Sequence, residues 1–178
     1  MGCTEASVFL KIALVIFPIA LILQIVGLAT PNWSSVSATI SGQTITQSNG
    51  LWAVCASSNG EKQCQNYDIV EDWVVACRAF AIIGMATVAA AAILEVLCTV
   101  ALSKSSHKIA YILDVIIAFL GAGAVILACI IWAAKISDSG ASAGLSLELS
   151  YSFGLSIAAG LLSGIGGILA TIDLCKSS

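Results

Sequence analysis

Long apolar runs, separated by polar segments of very different length, organise this chain. The runs cover Val8 to Ala29, Ala79 to Leu102, Ile109 to Ala134 and Tyr151 to Leu174. A bilayer core about 30 Å thick takes about 20 residues of helix, so each run predicts one membrane-spanning helix. Four such runs leave too few residues for a water-soluble core. The first run is long for a signal-peptide core, and Ala29-Thr30-Pro31-Asn32-Trp33 after it makes a poor cleavage site, so it is read as a retained span. The whole chain, 1–178, is then a single four-span unit, with a long loop over 30–78, a short turn over 103–108 and a second loop over 135–150.

The long loop follows another pattern. Trp33 to Ile40 is rich in β-branched and small residues, Gly42 punctuates it, and Gln43 to Gln47 continues in the same style. Asn49-Gly50 is a hairpin signal before Leu51-Trp52-Ala53-Val54-Cys55. Ser58-Asn59-Gly60-Glu61 marks a further turn, and Gln63 to Tyr67 returns as a fourth strand. From Ile69 to Arg78 the apolar positions Ile69, Val70, Trp73, Val74 and Cys77 recur at helical spacing, which predicts a short amphipathic helix running into the second span. In the second loop, Leu145 to Ser150 alternates apolar and polar residues and predicts a fifth strand.

Composition agrees with a membrane protein: 59% of residues are apolar, 10% are charged, and mean hydropathy is +1.03. Net charge is −3 and the seven basic residues are scattered, which excludes a nucleic-acid surface. His107 is the single histidine, and the seven cysteines lack metal-finger spacing. Neither a zinc centre nor a catalytic triad can be assembled from that set, so no enzyme activity, metal or cofactor is expected.

Orientation rests on basic residues and cysteines. With both termini cytosolic, Lys11, Lys104, Lys108 and Lys176 lie inside, with His107 beside them, against Lys62, Arg78 and Lys135 outside. Cys55 and Cys64 settle this narrow margin. Their eight-residue spacer in a strand-like segment suits a disulfide, which needs an oxidising compartment. The long loop is therefore placed outside. Cys3 and Cys175 then fall at the inner face, read as free thiols, and Cys98 and Cys129 fall within spans as free thiols.

Trp33, then Gly50-Leu51-Trp52, then Cys55 and Cys64 read W-x18-W-x2-C-x8-C, with Arg78 heading the second span. This pattern resembles the peripheral myelin protein, epithelial membrane protein and claudin family, and most closely the claudins. The resemblance implies an all-α membrane protein: a left-handed four-helix bundle capped by a five-stranded extracellular antiparallel sheet from the two outside loops. It further implies a Cys55–Cys64 disulfide, plasma-membrane location at cell–cell junctions, and polymers that meet copies of themselves, or other claudin-like proteins, in cis and in trans. Such a protein forms or tunes a paracellular barrier or pore. Family relatives also serve as auxiliary subunits of ion channels or receptors, and others as myelin-like adhesion proteins. Some features depart from the claudin pattern and mark a divergent or invertebrate-like member. Lys176-Ser177-Ser178 has no hydrophobic terminal residue, so capture by a PDZ scaffold is not expected. Ala56 and Gln65 follow the loop cysteines where pore-forming claudins place an acidic residue nearby, so ion selectivity does not carry over.

Within the spans, Ser152, Ser156, Gly160 and Gly164 recur every fourth residue, a small-residue stripe suited to packing within the bundle. Glu95 and Asp114 sit at similar depth on helices joined by a short turn. Buried charges are costly and tend to pair, so Lys11, Lys104 and Lys108 are the expected partners, in a structural rather than a transport role. Asp173 is expected to reach the inner headgroups.

Overall fold

A computed structural model describes residues 7–40, 43–58, 61–100, 108–143 and 147–176. Among these are four helices long and apolar enough to cross a membrane. They are α1 (Val8–Ala29), α2 (Asp72–Val100), α3 (Lys108–Ala143) and α4 (Tyr151–Lys176). Cys3, Gly42, Asn59, Gly60, Lys104 and His107, to which the sequence assigned roles, lie outside the described residues, as does most of the inner turn.

Helix α1 matches its predicted run to the residue, and Ser7 caps its start by accepting from the Leu10 N–H. Helix α2 begins at Asp72 rather than Ala79. The expected amphipathic segment and the second span are one continuous helix of 29 residues, about 43 Å long. Helix α3 likewise runs through 135–143, which hydropathy assigned to a loop. Hydropathy marks where lipid ends; the backbone hydrogen-bond ladder continues past that point wherever the residues tolerate it.

The sheet holds five strands: β1 (Ser34–Ile40), β2 (Gln43–Asn49), β3 (Ala53–Ser58), β4 (Glu61–Asn66) and β5 (Glu148–Leu149). Their order is β4-β3-β2-β1-β5, and every pairing is antiparallel. The fifth strand comes from the second loop as expected, but it contributes only two residues, pairing Ser34 with Leu149 and Ser35 with Glu148. The β2–β3 hairpin differs from its forecast by two residues. Asn49 stays in β2, the Gly50 N–H donates to Ala53 O, and Leu51-Trp52 forms the tip.

The main core lies where sheet meets bundle. Trp33, Leu51, Cys77, Ala81, Ala128, Cys129 and Trp132 are buried there with Leu28, Val74, Ile136 and Phe153. Smaller clusters continue down the bundle, around Phe17 and Ala118 and then around Leu10, Cys98 and Tyr111. Helices α2 and α3 approach closely at Gly84, where an added Cβ would stand 3.0 Å from the Val125 backbone nitrogen.

Candidate functional site

A helix leaves its last carbonyls without partners, and near lipid such groups are expensive. Helix α1 resolves this with side chains from the sheet. Val26 O accepts from the Thr30 N–H at 3.1 Å and from the Thr30 hydroxyl at 2.7 Å. Gly27 O accepts from Trp33 Nε1 at 2.8 Å, and Leu28 O from Trp52 Nε1 at 2.9 Å. The two signature tryptophans therefore take the place of the next helical turn.

Trp33 is fully buried and edge-packed against Trp132 of α3 at 5.4 Å and Phe153 of α4 at 6.1 Å. One side chain thus ties β1 to α1, α3 and α4. Trp52 is 40% exposed and carries the Arg78 guanidinium 5.0 Å from its ring centroid. Arg78 Nε also donates to Leu51 O at 2.7 Å, and the Tyr67 hydroxyl donates to Gly50 O at 2.9 Å. The Gly50 and Leu51 carbonyls are thereby satisfied. Leu51 fills the bundle mouth with no exposure. Gly50 has no space for a side chain, because a Cβ there would lie 2.3 Å from Pro31 Cα.

Cys55 and Cys64 face one another in register across β3 and β4 and are disulfide-bonded. On the other side of the sheet, the start of α4 is bound to the chain leaving α1. Ser152 N–H donates to Asn32 O and Ser150 N–H to Trp33 O, each at 3.0 Å, and the Thr30 and Ser152 hydroxyls meet at 2.7 Å. Asn32 donates through Nδ2 to the Tyr151 hydroxyl. Burial pushes the Tyr67 phenol above its ordinary value of 10.0, with the Arg78 charge pulling the other way.

Trp33, Gly50, Leu51, Trp52 and Arg78 come together at this junction, while Cys55 and Cys64 cross-link the sheet at β3 and β4. Tyr67, Thr30, Trp73, Trp132 and Phe153 belong to it as well, and sequence reasoning missed them as site residues. For Thr30, Trp73, Trp132 and Phe153 the signal was aromatic or hydroxyl character at span ends, which interface anchoring explains equally well.

The remaining candidates lie elsewhere. Glu95 and Asp114 are buried, and their side chains meet each other toward the turn end of the bundle. Lys11 and Lys108 are exposed, Glu95 stands beside Asp114, and Lys104 lies outside the described residues. Asp173 is buried near Tyr111 instead of extending toward headgroups. Packing of α3 against α4 brings the aliphatic end of Ile126 within 2.9 Å of where a Gly160 Cβ would sit, whereas Gly164 has only Ala122 Cβ at 3.8 Å. Cys98 and Cys129 are buried free thiols, as is Cys77, and Cys175 is an exposed one. Among the described residues, no three His, Cys, Asp or Glu side chains are arranged to hold a metal ion.

No curated protein matches the sequence. The model of the PMP-22/EMP/MP20/Claudin family matches residues 6–170. That span takes in all the signature residues, helices α1 to α3 and α4 as far as Ala170, and the chain belongs to this family.

Proposed function

We propose that this protein is a claudin-like component of cell–cell junctions. The sheet faces the extracellular space and both termini face the cytosol. Copies associate laterally in one membrane and adhere to copies on the neighbouring cell, forming or tuning a paracellular barrier or pore. The observation carrying this reading is the open edge of the sheet. Strand β4 pairs only with β3 among the described residues, and all six of its residues are exposed. Unpaired strand edges are templates for pairing with another chain. A sheet fastened to all four helices has this edge held at a set orientation to the membrane, and confinement in the membrane raises the effective concentration of copies, so weak contacts add up.

The disulfide supports the topology, since such bonds persist in oxidising compartments. The test is a mixed culture of expressing cells and cells without junctional strands. Enrichment at contacts between two expressing cells, freeze-fracture strands and a changed transepithelial resistance are the expected results. Uniform surface distribution with unchanged resistance would favour the auxiliary channel-subunit reading instead.

A further inference from the structure

Beneath the sheet, beside the tops of α2 and α3, lies a cavity of about 400 Å³ that neither the fold nor the junction reading uses. Its size falls within the range of small-molecule sites. Tyr67, Trp73, Trp132, Ile136 and Leu147 line it together with one carboxylate, Glu71. Trp73 and Trp132 stand 5.3 Å apart at 62°, forming an aromatic corner. Trp132 is buried at the floor, Trp73 and Tyr67 are half-buried walls, and Glu71 is exposed at the rim. Aromatic faces attract cations through their quadrupoles, and a carboxylate beside them adds to that attraction.

Most of the cavity wall is aromatic or aliphatic, and two of the acceptors around it are already engaged. Trp73 Nε1 donates to Glu71 Oε2, and Gln47 Nε2 to Asn49 Oδ1. A primary ammonium would need several free acceptors, whereas a quaternary ammonium needs only apolar and π surface with a charge nearby. The lining residues Trp73, Val74, Trp132 and Ile136 stand at the ends of two helices long and apolar enough to cross a membrane, the depth at which lipid headgroups lie. The Arg78 guanidinium, 5.7 Å from the Tyr67 ring, lies outside the lining.

We propose that this cavity binds the headgroup of a phosphocholine lipid, with Glu71, Trp73 and Tyr67 holding the trimethylammonium. The inference rests on the four spans and not on the junction reading. Protein purified in a maltoside detergent is incubated with equimolar dioleoyl phosphatidylcholine, phosphatidylethanolamine and phosphatidylglycerol, and native mass spectrometry reads what is retained. Phosphatidylcholine should be retained about fivefold over the ethanolamine lipid, the size of one cation–π contact. Trp73→Leu and Glu71→Gln should each abolish that preference, and Glu61→Gln, on β4, should leave it intact. Equal retention of the three lipids, preference for phosphatidylglycerol, or an unchanged preference in Glu71→Gln would overturn the proposal. Glu71 is exposed, so its variant decides the matter even if Trp73→Leu fails to fold.

Discussion

Trp33 donates its indole N–H to the carbonyl of Gly27, six residues earlier, at 2.8 Å and in full burial. The bond joins the end of a membrane helix to the start of a sheet, so the residue that opens the signature is also a helix cap. Trp33→Phe keeps the aromatic packing on Trp132 and Phe153 but removes the donor. A buried carbonyl left without a partner costs about 1–3 kcal/mol. Melting followed in detergent should drop measurably for this variant and less for Trp52→Phe, whose ring is partly exposed. Equal melting of Trp33→Phe and the parent would show that water reaches Gly27 O and that the cap is dispensable.

The glycines separate by what surrounds them. Gly84→Ala would place a Cβ 3.0 Å from the Val125 backbone nitrogen and 2.5 Å from its side chain, and backbone in a packed helix pair has little room to yield. Gly164→Ala would meet nothing closer than 3.8 Å. Gel filtration should show Gly84→Ala aggregated or poorly recovered and Gly164→Ala monodisperse. The reverse result would move the helix contact from the α2–α3 crossing to the α4 stripe.

Much of this was legible in the sequence, for identifiable reasons. The apolar runs located the spans because lipid imposes a length on them, and the Cys55/Cys64 spacing survived because antiparallel register puts those residues opposite one another. The helix ends were not legible at Asp72 and Ala143, since hydropathy is silent once a helix leaves lipid. Leu51 read as strand, because tertiary contact rather than local propensity places it at the hairpin tip inside the bundle mouth. Tyr67 carried no local signal at all; its role depends on Gly50 and Arg78, which only the fold brings to it.

Tyr67 supplies a pH prediction. Its phenol is held above 10.0 by burial, so the folded state keeps this proton at pH values where the unfolded chain has lost it. Its contribution to stability is therefore complete below pH 10 and declines as pH rises through the raised value. Tyrosinate absorbance, assigned by difference from Tyr67→Phe, should appear above 10.0 and move further up in Arg78→Gln, which removes the opposing charge. A downward move in that variant would contradict the cation's placement beside the ring.

Cross-linking β3 to β4 closes a loop with a sequence separation of nine, for which the chain-entropy model gives about 2–3 kcal/mol. Replacing both cysteines by serine should leave the helices folded, since the three core clusters lie largely apart from β4. Limited proteolysis should then cut near residues 59–60 much faster than in the parent. Protease resistance equal to the parent's would mean that pairing alone holds β4, and that the disulfide serves another purpose.

The open edge of β4 gives the sharpest test of the junction reading. Gly50 N–H donates to Ala53 O, and residues along antiparallel strands alternate in the side to which their backbone groups point. Ser48 and Cys55 therefore bond to each other, which leaves Cys55 and Cys64 as a non-hydrogen-bonded pair across β3 and β4. By the same alternation Lys62, Cys64 and Asn66 aim their N–H and C=O groups outward, away from the sheet. Proline at such an outward position removes a free donor without breaking a bond inside the sheet, and edge strands tolerate it. Lys62→Pro should keep the disulfide and surface expression while losing enrichment at contacts between expressing cells. Lys62→Ala removes the same charge but keeps the N–H, and should behave as the parent does. If both variants lose enrichment, charge rather than strand pairing joins the copies; if neither does, the copies meet through another surface and the edge is bystander structure.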